Sequence, residues 1–355
     1  MPTLDDLGWD SFFASQLGPQ DCEPFAPARV AEEQKNSFRL WSANGEWLGE
    51  LSGKMLHAAV EREDLPVVGD WVVTRPRPGG GRATIHRVLA RRSKFSRKVA
   101  GKRTTEQILA ANIDIAFIVT SLNRDLNPRR IERYLTLAWE SGARPVVLLS
   151  KADLCPEPDR GVAEVGAVAA GVPVHALSAL SGEGLDKIHL FLGRGQTGVL
   201  LGSSGVGKST LINRLMGRNV LPARPIRESD DRGRHTTTSR QLLLLPHSGM
   251  IIDTPGLREI QLWQADTGLD HSFGDIRALA ERCRFTDCRH QTEPECAVLE
   301  ALNEGSLDPQ RLESYRKLQK ELAHLSVRQD VWLQQEQKKK WKQIHKAFRN
   351  FDKRA

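Results

Sequence analysis

The chain has 355 residues, 39% of them hydrophobic and 27% charged, with a formal net charge of +7. That length allows more than one core, the composition excludes wholesale disorder, and no stretch reaches the roughly 18 apolar residues a membrane-spanning helix needs. The start, Met1-Pro2-Thr3-Leu4-Asp5-Asp6-Leu7, is acidic and lacks an apolar core, which points to a cytoplasmic protein, while the excess of cations points to a polyanionic partner.

Residues 1–30 contain prolines and acids without strong periodicity and read as a loosely ordered arm. A domain over 31–104 follows. Phe38 to Trp41 and Glu46 to Leu51 flank Asn44-Gly45, a pair that readily supplies the two positive φ angles of a type I′ hairpin turn. Further strands at 66–74 and 82–89, separated by the Pro78-Gly79-Gly80-Gly81 tip, predict a small barrel of the oligonucleotide/oligosaccharide-binding (OB) type. A run of cations ends this domain: residues 87, 91, 92, 94, 97, 98, 102 and 103 are basic, with Phe95 among them and no acid between. Such a run offers a nucleic-acid contact.

From 105 to 265 the pattern becomes α/β. Apolar runs at 113–120, 145–150, 173–177 and 198–201, and a hairpin-like pair at 241–245 and 250–253, predict about six strands of a doubly wound sheet. A helical region over 266–330 follows. Phe273, Ile276, Leu279 and Ala280 make one stripe; Asp308-Pro309 caps a further helix that carries Leu312, Tyr315, Leu318, Leu322 and Leu325. Residues 331–355 form a basic tail in which Trp341 and Phe348 are interleaved with lysines.

The chemistry sits in four short segments. Gly202-Ser203-Ser204-Gly205-Val206-Gly207-Lys208-Ser209-Thr210 lies between a strand and a helix and fits the phosphate-binding loop, with backbone amides for phosphate oxygens, Lys208 for the β- and γ-phosphates and Ser209 for magnesium. Asp253-Thr254-Pro255-Gly256 closes a strand, so that Asp253 can hold the magnesium shell through water and the Gly256 amide can meet the γ-phosphate. Between them, one threonine of Gly233-Arg234-His235-Thr236-Thr237-Thr238 is expected to bind magnesium in the triphosphate state; Thr237 is preferred, though register does not separate it from its neighbours. Ser150-Lys151-Ala152-Asp153 places a carboxylate to accept two hydrogen bonds from guanine N1 and N2, and Ser178-Ala179 brings an amide to guanine O6.

This guanine-reading box precedes the phosphate loop, the reverse of the usual order. Leu257 stands where many GTPases place a water-orienting glutamine, so intrinsic hydrolysis is expected to be slow, with His235 the candidate replacement.

Cys283, Cys288, His290 and Cys296 gather three thiols and one imidazole, a donor set that fits a closed structural zinc site. Cys22 and Cys155 have no such neighbours.

Together the Val67-Val68-Gly69-Asp70-Trp71 segment of the barrel, the inverted motif order, the threonine run and the Cys/Cys/His/Cys cluster resemble the RsgA/YjeQ family of circularly permuted bacterial GTPases over nearly the whole chain. The resemblance implies a multidomain protein: an N-terminal OB-type barrel, a central permuted α/β P-loop GTPase and a C-terminal helical zinc-binding domain. It implies a late assembly factor that binds the small (30S) ribosomal subunit near its decoding-region RNA, hydrolyses GTP to GDP when stimulated by that subunit, and then leaves. GTP or GDP, Mg2+ and one structural Zn2+ are the implied ligands, and a monomer away from membranes is the expected state. Ser150 departs from the longer Asn or Thr of that family's guanine box, which is expected to weaken its support of base and phosphate loop; the first thirty residues and the tail lie outside the shared pattern.

Two rivals stay open at this level: an RNA-binding scaffold with little turnover, and a P-loop ATPase or kinase. The inverted order also predicts that the 266–330 domain hangs directly from Asp253–Gly256, so that loss of the γ-phosphate would reorient it relative to the barrel.

Overall fold

The computed structural model describes residues 2–21, 23–59, 62–99, 105–122, 126–222, 240–246, 249–253 and 266–323. Five strands, β1 (Ala26–Glu33), β2 (Phe38–Ser42), β3 (Gly45–Leu51), β4 (Trp71–Pro76) and β5 (Arg82–Val88), close on themselves in the order β1-β2-β3-β5-β4-β1. Only the β3–β5 pairing is parallel, which completes the small barrel read from the sequence. Alternate residues fill its interior, among them Val30, Leu40, Trp47, Val72 and Ile85. The turn between β2 and β3 differs from the type I′ expectation: Ser42 pairs with Gly45, so the loop is Ala43-Asn44, and the positive φ of 110° falls on Gly45. The Ser42 hydroxyl accepts from Asn44 N and donates to Gly45 O, stabilising this alternative.

The arm is ordered, contrary to its weak periodicity. Helix α1 (Ser11–Ala14) is capped by Asp10, and Leu7 and Phe13 are buried against Trp71 in the largest core. The buried Arg29 of β1 explains why: its guanidinium donates to Gly69 O, Asn112 O and Thr197 Oγ1 at 3.3, 3.0 and 2.7 Å, and also to Leu7 O. One side chain thus joins arm, barrel and GTPase sheet, and burial pulls its pKa down to about 10. Short helix α2 (Gly53–Ala58), capped by Ser52, contributes Met55 to the barrel core.

Strands β6 (Lys94–Val99) and β7 (Thr105–Ala111) form a separate antiparallel hairpin across the boundary placed at 104/105. The basic run lies largely within and just before it, and Arg87, Arg91, Arg92, Lys94 and Arg97 are engaged internally. Arg87 meets Asp21, Arg91 meets the buried Asp70 at 2.8 Å, Arg92 meets Asp10 and Asp114, and Lys94 meets Glu106. Arg97 donates to Gln107. Residues 102 and 103 lie outside the described residues, as does the 331–355 tail.

The second sheet runs β10 (Val174–Ala176), β9 (Arg144–Ser150), β8 (Ile115–Ser121), β11 (Thr197–Leu201), β13 (Met250–Asp253), β12 (Gln241–Leu244); all neighbours are parallel except β12–β13. Strand β8 is buried on both faces, and its period of two sorts the helices. Ala116 and Ile118 face α3 (Pro128–Ser141) and α4 (Pro158–Val168), while Ile115, Phe117 and Val119 face α5 (Asp186–Phe191) and α6 (Lys208–Met216). At its far side β12 pairs with β1 of the barrel, Gln241 opposite Glu32, so one continuous sheet crosses both domains.

The C-terminal region is helical as expected, but the stripe around Phe273 divides into α7 (Asp266–Ser272) and α8 (Gly274–Ala280). After α9 (Ala297–Asn303) a helix over 309–323 begins with Asp308 accepting from Gln310 N at 2.9 Å, followed by Pro309. These helices dock on α3. Arg311 donates to Asp275 at 2.6 and 2.7 Å, to Glu132 at 2.9 Å and to Ser272 O at 2.9 Å, and its guanidinium lies over the Phe273 ring. Burial pushes the Glu132 carboxyl up, whereas at Asp275 the Arg311 hydrogen bonds overcome burial and hold the carboxyl down.

Candidate nucleotide site and metal centre

Parallel strands bring their C-terminal ends to one side of the sheet, where α/β proteins place ligands. Ser121 is opposite Ser150, Ile118 opposite Leu201 and Val199 opposite Ile252, so the guanine box, the phosphate loop and Asp253 emerge side by side.

The loop from Gly202 to Gly207 is shaped by backbone torsions that disfavour side chains. Gly202, Gly205 and Gly207 have φ of 143°, 79° and 99°, and a Cβ on Gly202 would lie 2.1 Å from Val119 O. Gly207 caps α6 without a side-chain hydrogen bond, leaving the amides of the first turn, through Ser209 and Thr210, to meet an anion. Lys208 Nζ donates to Gly202 O and Ser203 O, both at 2.6 Å, which folds the ammonium back over the loop it serves.

The guanine box supports the other end of that loop. Ser150, buried at the end of β9, donates from Oγ towards Val206 O at 2.7 Å and lies 3.1 Å from Thr120 O. The shorter serine therefore still reaches the phosphate loop. Lys151 takes a left-handed φ of 61°, Ala152 N donates to Leu177 O, and Asp153 follows in a short turn over Ala152–Leu154. Across from it the Ser178 hydroxyl accepts from Leu180 N and Ser181 N, fixing the turn that presents the Ala179 amide, which donates to no described residue. Two loops so held can read the edge of a base.

His235, Thr236, Thr237, Thr238, Gly256 and Leu257 lie outside the described residues. One contact escaped the sequence reading: Arg130, in the first turn of α3, donates from Nη1 to Ser203 Oγ at 2.9 Å. Asn127-Pro128 marks that helix start, but nothing local says which strand end it faces.

The four predicted metal ligands converge. One donor atom from each of Cys283, Cys288, His290 and Cys296 lies within 4.8 Å of the others. Cys283 and Cys296 sulfurs are 3.8 Å apart, and His290 Nδ1 is 3.6 and 3.4 Å from them. Tetrahedral zinc with metal–sulfur bonds of about 2.3 Å and metal–nitrogen bonds of about 2.0 Å sets sulfurs about 3.8 Å apart and sulfur–nitrogen pairs about 3.5 Å apart. The residues fit the ion. Desolvation, with the Cys296 and Cys283 thiols beside it, pushes the Cys288 thiol up to about 11, and desolvation lowers the His290 pKa. A bound divalent cation would reverse the first effect and profit from the second, since it takes thiolate and neutral imidazole. The backbone bends to deliver these donors: His290 and Glu295, neither a glycine, both sit at φ of 56°. The Glu293 carboxylate braces the turn by accepting from Gln291, Arg289 and Thr292 amides, bonds that hold its pKa at about 2.

Comparison with known proteins adds relatives to this geometry. A family model described as RsgA GTPase matches residues 88–263. The small ribosomal subunit biogenesis GTPase RsgA of Opitutus terrae is 48% identical over 98% of this chain and 97% of its own length. That of Syntrophotalea carbinolica is 43% identical over 96% of this chain and 95% of its own length. Among solved structures, YjeQ from Thermotoga maritima superposes with a TM-score of 0.64 at 28% identity, covering 84% of this chain and 99% of that one. YloQ, described as a circularly permuted GTPase, shares the fold at a TM-score of 0.61 and 20% identity, with 86% of this chain and 96% of that one covered.

Proposed function

The chain belongs to the RsgA GTPase family, and from that membership we propose that it hydrolyses GTP to GDP and phosphate in late maturation of the small ribosomal subunit. The observation that carries this reading is the Ser150–Val206 hydrogen bond of 2.7 Å, which couples a guanine box to a phosphate loop in inverted order. A kinase or ATPase loop has no use for Asp153 beside it. Subunit binding and release enter through the relatives, whose names assign them to small-subunit biogenesis.

At the site, the loop amides and Lys208 hold the phosphates and Asp153 with Ala179 selects guanine. Ser209 and Thr237 would ligate Mg2+, with Asp253 in its water shell. Bound magnesium neutralises charge on the β- and γ-phosphates and orients them. With Leu257 at the glutamine position, we assign water orientation to His235 and attribute efficient turnover to the subunit. Zinc on Cys283, Cys288, His290 and Cys296 is structural, since four protein ligands leave no open position.

We further propose ribosomal RNA as the polyanion, in a cytoplasmic monomer; among the described residues no helix is long and apolar enough to cross a membrane. Arg87, Arg91, Arg92 and Lys94 of that run pair internally, so this reading assigns RNA contact to other cations as well. Exposed Lys54, Arg75 and Arg82 on the barrel, which pair with no described carboxylate, suit it.

The deciding measurement is phosphate release from GTP and from ATP, with and without purified small subunits. Turnover specific for GTP and raised at least about tenfold by subunits is the expected result. Equal use of ATP and GTP, or no effect of subunits, would overturn the reading.

A further inference from the structure

Helix α3 touches both ligand-bearing regions of the molecule. On one side Arg130 Nη1 reaches Ser203 Oγ in the phosphate loop at 2.9 Å. On another, Glu132 receives Arg311, Arg133 forms a two-pronged pair with Glu321 at 2.7 and 2.8 Å, and Glu140 accepts from Gly268 N at 3.0 Å. Thr136 meets Ser272 and Trp139 stacks on His271, so docking of the C-terminal domain continues along the helix.

Where Arg130 grips the loop matters. The Lys208 ammonium, which serves the β- and γ-phosphates, lies 2.6 Å from the Gly202 and Ser203 carbonyls. The Ser203 end is therefore where the terminal phosphate arrives. Ser150 holds the opposite end, at Val206. Among the described residues Ser150 and Arg130 thus tie the loop from outside, one placed for features common to GDP and GTP and one placed for the phosphate that distinguishes them.

We propose that Arg130 is a positioning residue for GTP hydrolysis: through the Ser203 hydroxyl it fixes the γ-phosphate end of the loop, and its own place is set by the docking of α3 on the C-terminal domain. This rests on the GTPase reading above. A guanidinium is a permanently charged, planar donor, and a hydrogen bond from a charged donor is stronger and more directional than one between neutral groups. A shift of α3 by a fraction of an ångström is thereby passed to Ser203 instead of being absorbed in a slack contact. A ligand gripping the C-terminal domain can thus alter turnover without touching the nucleotide.

The test uses the full chain with small subunits, reading kcat, KM and the affinities for GDP and a non-hydrolysable GTP analogue. For Arg130→Ala, kcat is expected to fall about tenfold to a hundredfold, the analogue to weaken more than GDP, and GDP affinity to stay within about twofold. Ser203→Ala reproduces that selectivity and Arg130→Lys recovers part of kcat. Equal losses for GDP and analogue, or an unchanged kcat, would reduce Arg130 to loop support and overturn the proposal. The docking half is read from Arg133→Glu, which should lower subunit-stimulated kcat, and from its combination with Glu321→Arg, which should restore it; unaltered kcat in Arg133→Glu sinks that half. Wild-type protein without GTP turnover would instead defeat the underlying function, so the two failures are distinguishable.

Discussion

The phosphate loop and the cysteine cluster handle opposite charges with opposite materials. For an anion, the chain offers main-chain amides, held in place by glycines at positive φ from Gly202 to Gly207. For a cation it offers four side chains, and forces non-glycine residues at 290 and 295 into the left-handed region to aim them. An added Cβ destroys the first kind of site, whereas a lost side-chain atom destroys the second. The two also differ in anchorage: among the described residues the side chains of Ser150 and Arg130 tie the loop from outside, while the cluster sits in the turns between α8 and α9, with Arg316 donating to His290 O.

Substitutions at each site sharpen that contrast. The largest effect is expected from Cys296→Ser or from chelation, because zinc binding contributes on the order of 10 kcal/mol in small zinc modules. Hydrogen exchange should then accelerate through 283–318 while GDP affinity changes less than about twofold; an exchange pattern indifferent to chelator would show a set of reduced thiols instead. Next comes the joint between the regions. Arg311→Ala strands Glu132 in a buried position, at a cost of about 3–5 kcal/mol, visible as a lower urea midpoint for the C-terminal domain. Gly202→Ala should weaken GDP by about a hundredfold, roughly 3 kcal/mol, without changing the urea midpoint of the C-terminal domain. Smallest is Ser150→Ala, about 1 kcal/mol, or about fivefold, lost equally for GDP and a GTP analogue. A selective loss for one nucleotide would show that Ser150 and Arg130 do not divide the loop as their positions indicate.

Both sites were legible in sequence for the same reason: each is a short segment whose residue types leave little alternative. Glycines leading up to Lys208 after an apolar strand, and three cysteines near a histidine, state their chemistry locally. The apolar run of β8 and the Asp308 cap were readable on the same terms. What stayed hidden depends on partners far along the chain. The run of cations at 87–94 does not announce its partners Asp10, Asp21, Asp70, Glu106 and Asp114, which come from distant parts of the chain. The arm lacks periodicity because Leu7 and Phe13 fill a cleft beside Trp71 instead of repeating along an element. Arg130 is one cation among several in its helix until β8 and β11 bring Ser203 to it.

The pairing of β12 with β1 carries a consequence for dissection of the molecule. A strand at the margin of a sheet presents unpaired amides and carbonyls, a template for other chains. Here β1 of the barrel meets that margin at one paired position, Glu32 opposite Gln241, and Arg240, just ahead of β12, is drawn to Glu33 at 3.4 Å. A fragment beginning at residue 112 would keep every nucleotide-binding motif and yet lose the pairing of Gln241 with Glu32, the point at which β12 is joined to a neighbouring strand of the barrel. Loss of the barrel would thus lengthen the open edge of the GTPase sheet, and self-association of such a fragment is the expected result.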